Sequence, residues 1–584
     1  MELAAGFAST TRDGWRSLAV EVLRKSGIEA ASPEEALSTE TYDGMPIAPL
    51  YDMDDLPGDP GKPGAAPYVR GAAAVPGWDV RQRHSAADPE AVLADLENGV
   101  TSLWLVVGEG AIPVGELGAV LKDVYLDLAP VVLEAGARAG EAAETLLGLA
   151  ATRGFAPGGN LGASALGGGD GLELALRCVA DFPGLRAVTV DATPYHDAGG
   201  SDADELGCSI ARGVAELRAL TGGGLSVEQA LGQIEFRYAA TADQFATIAK
   251  LRAARLLWAR VAEVCGAGEH GGQRQHAVTS TAMMTARDPW VNMLRTTLAC
   301  FAAGVGGAQA VTVQPFDACY GPPDAFARRI ARNTQALLLE ESGIGRVIDP
   351  AGGSWYVESR TAALAERAWA WFQEIEAAGG IPAEVGPVAE LIAGRLAATR
   401  ERRARDIAHR RFPITGVSEF PNLDERPLRP PVPAARSGGG GLPEVRYAEA
   451  FEALRDLADA QPERPKVFLA TIGPVAAHTA RAAFAANLFQ SGGLATESAG
   501  PGADPEQIAT AFAMSGASVA CLCSTDKLYA QHAAAVATAL RRAGAKRVWL
   551  AGKGQYAGVD ANLYAGCDAL AVLGTTFDDL EVTR

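Results

Sequence analysis

From about residue 95 the chain alternates between two kinds of segment, and this alternation constrains the fold more than any other feature. Short apolar, β-branched runs fall at Thr101–Val107, Val124–Leu133, Asn160–Ala163, Ala187–Asp191, Gln233–Ala239, His276–Thr281, Ala308–Val313 and Arg346–Asp349. Stretches with helical spacing separate them, for example Asp243–Val264, Trp290–Ala303 and Asp324–Glu341. A strand that is apolar along its whole length is covered on both faces, and strands separated by helices pair in parallel. Eight such units over roughly 250 residues predict a (β/α)8 barrel, here spanning residues 95–410. In that architecture the functional face lies at the C-terminal ends of the strands. Tyr195-His196, Thr279–Thr281 and Gln314–Asp317 fall there.

The flanks read differently. Residues 1–94 form an N-terminal arm: Thr11-Arg12-Asp13 opens a helix with Trp15, Leu18, Val22 and Leu23 on one face, and a Pro-, Gly- and Asp-rich stretch runs on to Arg70. Such arms wrap a partner or their own body. Residues 411–463 read as a linker, since Pro413, Pro421, Pro427, Pro430, Pro431, Pro433 and Pro443 accompany the run Gly438–Gly441. Residues 464–584 carry a second α/β unit. Its expected strands are Lys466–Ile472, Leu494–Thr496, Ser518–Cys523, Arg547–Leu550 and Ala569–Leu573, with helices such as Ala476–Phe489 and Ala530–Ala543 between them. That count fits a flavodoxin-like, doubly wound sheet, which binds ligands outside the carboxyl ends of its strands. The loop Thr471–His478 is then where cofactor chemistry would sit.

Composition removes several classes of function. The net charge is −19, from 70 acidic and 51 basic side chains, which argues against a nucleic-acid partner. The 8 cysteines form no CxxC pair, so a zinc or thioredoxin-type site has no support and no metal site is expected. Met1-Glu2-Leu3 begins no signal peptide. The uncharged stretch between Arg295 and Asp317 is broken by Gly304, Gly306 and Gly307, so it predicts a buried helix–turn–strand rather than a membrane span. The chain reads as cytoplasmic.

Several segments carry a resemblance. The run from Lys250 reads KLRAARLLWARV, Thr285–Arg295 reads TARDPWVNMLR, Gly306–Asp317 reads GGAQAVTVQPFD and Glu341–Glu358 reads ESGIGRVIDPAGGSWYVE. Arg411–Leu423 reads RFPITGVSEFPNL, and Thr11-Arg12-Asp13 and Thr41-Tyr42-Asp43-Gly44 belong to the same pattern. With the barrel–linker–flavodoxin layout, these resemble the cobalamin-dependent acyl-CoA mutases over essentially the whole chain. Within that family the end of the barrel domain is similar to the small (beta) subunits of methylmalonyl-CoA mutase.

The resemblance implies chemistry that these residues do not carry. Catalytic members hold a lysine and then Asp-x-His-x-x-Gly in the first loop of the cobalamin domain; the histidine ligates cobalt and the aspartate orients it. Aligned on Val467-Phe468-Leu469-Ala470, the lysine position is Thr471, the aspartate position Val475 and the histidine position Ala477. His478 lies one residue out of register and is expected at the solvent edge of a helix start. Gly552-Lys553-Gly554 matches the family's later Gly-Gly turn in part. In the barrel, Trp78-Asp79-Val80-Arg81-Gln82 resembles an active-site segment, but the tyrosine after it is Arg83. Two family glutamines fall at Gly162, within Gly159–Ser164, and at Val278, after His276. Tyr195 and His196 match a substrate-contacting pair.

The expectation is therefore a non-catalytic small subunit whose remnant pocket is Arg81, Tyr195 and His196. Adenosylcobalamin would be bound by a catalytic large subunit and by no residue of this chain. A self-sufficient acyl-CoA mutase with an unusual cobalamin mode is a second reading, favoured by Tyr195 and His196. A regulatory or chaperone-like mutase partner is a third, weakened because no GxxxxGK[ST] motif is present.

Overall fold

The computed structural model describes residues 10–381, 386–429 and 441–582. Met1-Glu2-Leu3 and all but the last residue of Gly438–Gly441 lie outside them. Eight parallel strands close into a barrel in sequence order: β1 (Asp79–His84), β2 (Ser102–Val106), β3 (Val131–Glu134), β4 (Gly159–Ala163), β5 (Leu185–Asp191), β6 (Ile234–Ala240), β7 (Arg274–Thr279) and β8 (Ala310–Thr312). Ala310 and Val311 pair with Asp79 and Val80, which shuts the ring. The stretch between Arg295 and Asp317 is the anticipated helix–turn–strand, with the helix Trp290–Val305 leading to β8.

Three barrel expectations need correction. Arg346–Asp349 is not a strand. A short 3-10 turn, Ile344–Arg346, leads into it, Val347 is exposed, and Asp349 takes a positive φ of 49°. An ionic tether replaces the ladder there: Arg252 and Arg70 both hold the Asp349 carboxylate. The missing strand is β1, which lies before the boundary expected at residue 95, so the barrel begins inside the segment read as arm. Its sequence, DVRQRH, has no apolar run, because its buried side chains include Arg81 and His84. The long run Val124–Leu133 also shortens to Val131–Glu134 after Pro130, which has no amide to donate.

The C-terminal sheet has the order β10-β9-β11-β12-β13, from β9 (Lys466–Thr471), β10 (Ala495–Ser498), β11 (Val519–Cys523), β12 (Arg547–Ala551) and β13 (Ala561–Leu563), all parallel. This is the flavodoxin-like order, with the switch point between β9 and β11. The expected last strand, Ala569–Leu573, is instead the start of the helix Ala569–Asp579, capped by the Asp568 side chain at the Ala571 amide. An apolar run of this length suits a buried helix as well as a strand. The segment 411–463 is more ordered than a linker reading allows. Ile414 and Val417 are buried, and residues 449–459 form an amphipathic helix that buries Phe451 and Ala458 in the core of the C-terminal domain.

The arm opens with helix α1 (Arg12–Lys25), whose first amides are capped by Thr11 through the Gly14 amide at 3.1 Å. Only Leu23 of its apolar face is buried; Leu18 and Val22 are 66% and 61% exposed. Downstream the arm is pinned to three barrel helices, α2 (Asp202–Gly222), α3 (Gln244–Val264) and α4 (Pro387–Ala408). Asp43 accepts the Ala203 amide of α2 at 2.9 Å. Tyr42 donates to Asp406 at 3.1 Å and lies under Arg403. Arg255 of α3, fully buried, donates to the carbonyls of Tyr68, Val69 and Gly306 at 2.8–3.0 Å.

A buried acceptor left without its donor costs ~1–3 kcal/mol. Arg255→Met is therefore expected to lose about 3 kcal/mol or more in urea unfolding and to make the chain near Tyr68 protease-sensitive. Unchanged stability and cleavage would contradict this role for Arg255.

Candidate functional site

Ion pairs are buried among the barrel strands. Arg237, buried on β6, pairs with Asp191 at 2.8 Å and Glu134 at 3.1 Å. Its guanidinium lies 4.0 Å from the Trp104 ring centroid, and Arg83 lies over the same ring at 5.1 Å. Arg237 Nε donates to His276 Nδ1 at 3.3 Å, so the other ring nitrogen of His276 carries the proton toward Thr312 Oγ1 at 2.8 Å. Burial, then Arg81 and Arg237, hold His276 neutral, well below its ordinary pKa. Trp104, Val132 and Val278 form a small apolar cluster. At Gly162 an added Cβ would lie 2.0 Å from the Leu133 carbonyl, so the backbone leaves no room for a side chain at the first glutamine position.

The three residues of the expected remnant pocket do not come together. Arg81 bonds Ser102 at 3.0 Å, Glu235 at 2.8 Å and Asp79 at 3.2 Å. Those partners open their strands, so Arg81 sits at the N-terminal end of the barrel. Tyr195 and His196 follow β5, at the opposite, C-terminal end. Tyr195 is half-buried against the core, and burial raises its phenol pKa. His196 is buried, with Nε2 2.7 Å from Ser280 Oγ and Nδ1 3.9 Å from Glu205. Burial, then Lys250 and Arg403, keep it neutral.

Behind His196 lies a group the sequence reading missed. Lys250, fully buried on α3, pairs with Glu205 at 2.7 Å and Asp202 at 3.0 Å. Burial opposes the Lys250 charge, but the two carboxylates outweigh it and raise its pKa. Burial pushes Glu205 up to about 7 against the pull of Lys250. The available signal was one helix, KLRAARLLWARV, with Lys250, Arg252 and Arg255 on positions too apolar around them to be solvated.

In the C-terminal domain the first loop is closed. Thr471 Oγ1 donates to the Gly500 carbonyl at 2.6 Å. Gly473 and Gly502 exchange two backbone hydrogen bonds, 2.6 and 3.1 Å long, and Ser524 Oγ donates to the Ile472 carbonyl at 2.7 Å. Val475 opens helix α5 (Val475–Ser491) and is 59% exposed; Ala477 is half-buried. His478 departs from expectation: it is buried, and neither ring nitrogen has a hydrogen-bond partner. The helix phase turns it inward, three residues before Arg481. That guanidinium reaches the Ser524 carbonyl at 2.8 Å and Asp526 at 2.7 Å and abuts the Gly552 turn. Lys553 lies over the Tyr564 ring at 4.6 Å. Among the described residues no group of His, Cys, Asp or Glu side chains is placed to hold a metal ion.

Comparison with known proteins identifies the lineage. The family model described as methylmalonyl-CoA mutase matches residues 173–437. A methylmalonyl-CoA mutase small subunit from Streptomyces virginiae is 57% identical, covering 100% of this chain and 98% of its own length. The chain belongs to the methylmalonyl-CoA mutase family. A further small subunit, from Propionibacterium freudenreichii subsp. shermanii, is 40% identical over 100% of this chain and 97% of its own. A probable small subunit from Mycobacterium bovis is 46% identical over 93% and 92%. Members of this mutase family are cobalamin-dependent isomerases, and the loop described above does not fit that cofactor. Thr471, Val475 and Ala477, the positions expected from the sequence to carry lysine, aspartate and histidine, bring no nitrogen ligand; Thr471 bonds the Gly500 carbonyl, and His478 is packed inside. Among the described residues no helix is long and apolar enough to cross a membrane.

Removing one partner of a buried ion pair costs ~3–5 kcal/mol, because the other charge stays buried. Arg237→Met is expected to lose stability of about that size in denaturant unfolding, with Glu134 and Asp191 left facing each other. NMR is expected to find the His196 and His276 rings untitrated between pH 5.5 and 8. A midpoint near their ordinary value for either ring would refute its neutral, buried state.

Proposed function

We propose that this chain is the small, non-catalytic subunit of a heterodimeric, adenosylcobalamin-dependent methylmalonyl-CoA mutase. The interconversion of methylmalonyl-CoA and succinyl-CoA then proceeds on a catalytic large subunit, which also binds the cofactor. The observation that carries this reading is the first loop of the C-terminal domain. Thr471, Val475 and Ala477 offer cobalt no ligand, and the Gly473–Gly502 pairing closes the loop over the sheet edge. A methyl group has no lone pair to give a metal. The names of the similar proteins support the subunit reading, since a small subunit implies a large one.

The barrel supports it independently. A pocket needs convergent polar groups around an empty space. Here Arg81 and the Tyr195-His196 pair sit at opposite ends, and Arg237, Trp104 and His276 fill the interior between them. What remains for this subunit is support. The arm carries Leu18, Val22, Met53 and Val75, each more than half exposed. Such an apolar track suits a protein partner better than water. An arm and a barrel surface together would bury well over the ~1,600 Å² of a standard interface.

The test is reconstitution with a longer homologue that has an intact Asp-x-His-x-x-Gly loop. The two chains are expected to form a stable 1:1 complex that turns over methylmalonyl-CoA, whereas this chain alone does not. Turnover by the isolated chain would favour the self-sufficient reading, and transient, nucleotide-dependent binding would favour a chaperone. In the assembled enzyme, Tyr195→Phe and His196→Ala are expected to leave activity nearly intact. A drop of about a hundredfold, roughly 2.7 kcal/mol of transition-state stabilisation, with the complex still formed would contradict a merely structural role.

A further inference from the structure

The run Thr285–Arg295, TARDPWVNMLR, belongs to neither region described above. It follows β7 on the C-terminal rim of the barrel and ends in the first turns of the helix Trp290–Val305. Buried Asn292 shapes it from the barrel side: it accepts the Thr285 amide at 3.0 Å and donates to the Thr285 and Phe316 carbonyls at 2.8 and 2.9 Å. The remaining polar groups of the loop go to the C-terminal domain. Glu452, on the helix Glu449–Asp459, accepts the Ala286 and Arg287 amides at 2.6 and 3.2 Å. Glu425 accepts the Asp288 amide at 2.7 Å and the Arg287 guanidinium at 3.2 Å. Arg287 also pairs with Asp456, and with Asp459 at 2.7 Å. Arg295 donates to the Thr415 carbonyl at 2.6 Å. At Gly416 an added Cβ would lie 2.8 Å from the Asp288 side chain, so the two segments approach closely there.

Two features make this contact more than a touch between neighbours. First, it is shielded: Glu452 is buried, and the side chains of Arg287 and Glu425 are each 12% exposed. Salt screens such groups little. Arg455 backs Glu425 and Arg464 backs Asp459, so Arg287 enters, from the barrel, a network already built on the C-terminal side. Second, the chain passes between the two bodies more than once. Helix α4 spans the boundary itself: Arg403 donates to the Gly199 and Gly200 carbonyls of the barrel, and Ile407, one turn on, lies in the C-terminal core. Ile414 and Val417 stay in that core, and the Phe420 amide donates to Asn487 of α5 at 2.8 Å. Arg429 is back on the barrel, on Asp317 and the Pro322 carbonyl, both at 2.8 Å. The Val445 and Tyr447 amides bond the Asp197 and Ala282 carbonyls at 2.8 and 2.9 Å, before Phe451 re-enters the C-terminal core. A hinge needs a few loop or element-terminal residues free to absorb a change in φ and ψ. Here one crossing is inside a helix, and the other two are tied on both sides.

We propose that the loop Thr285–Arg295 is a clasp that holds the C-terminal domain in one fixed pose on the barrel rim, with Arg287 as its central residue. Barrel and C-terminal domain then move as one body, and a partner meets a single rigid surface rather than two domains on a hinge. The clasp is independent of the functional reading above, since it uses none of the residues on which that reading rests.

Pulsed electron–electron double resonance on the full-length chain reads the pose directly. One spin label sits on Cys265, exposed on the barrel, and a second on Met514→Cys, where the native side chain is 84% exposed on the C-terminal domain. With the clasp intact, one narrow distance is expected. Arg287→Ala is expected to broaden that distance or split it in two. Glu452→Ala, which removes the acceptor of two clasp amides, is expected to broaden it as well, and it keeps the test open if the Arg287 variant does not fold. A broad or split distance with the clasp intact, or a distance that neither variant changes, would overturn the proposal.

Discussion

Eight parallel strands closed on themselves leave an interior that only side chains can fill. In this barrel much of the filling is ionised. Arg237 joins Glu134 and Asp191 across three strands while stacking on Trp104, and Arg81 joins Asp79, Ser102 and Glu235 at the other end. Each charge is tolerated because it is paired and hydrogen-bonded. The consequence is functional as well as structural. On the reading proposed above, ion pairs occupy polar groups inside the barrel that a substrate would otherwise need. The neutral His196 and His276 are spent too, each fixed by a hydroxyl, Ser280 or Thr312.

The same economy recurs outside the barrel, where charge is used to join segments. Arg255 ties the arm to α3, and Arg252 fixes the turn at Asp349. Arg287, from the loop after β7, pairs with Glu425 at 3.2 Å and Asp459 at 2.7 Å, which holds the barrel against the helix that leads into the C-terminal domain. Two segments that sequence alone describes as loose, the arm and the linker, thus become parts of the body. Leu18 and Val22 of α1 remain exposed.

Most of this architecture was legible in the sequence because apolar periodicity and helix punctuation report burial directly. Thr11 capped its helix as expected, and seven of the eight barrel strands lie on their apolar runs. The failures have different physical causes. The strand Asp79–His84 was invisible because its buried positions include arginine and histidine, and hydropathy cannot see an ion pair whose other half, Glu235, lies 154 residues away. Ala569–Leu573 failed in the opposite way: apolarity marked it as buried, but only the Asp568 cap distinguishes helix from strand. The positions Thr471, Val475 and Ala477 were legible one by one. The closed loop around them was not, since it depends on the distant Gly500, Gly502 and Ser524. His478 was misplaced because helix phase, rather than proximity to a loop, decides which way a side chain faces.

The C-terminal domain of this mutase-family chain is expected to keep the fold of a cobalamin domain without binding its ligand. Titrating the isolated chain with adenosylcobalamin and following the visible spectrum tests it most directly. The predicted result is the spectrum of the free cofactor at every protein concentration. A base-off spectrum with histidine bound to cobalt would contradict the claim, and would turn attention to the buried, unpaired ring of His478.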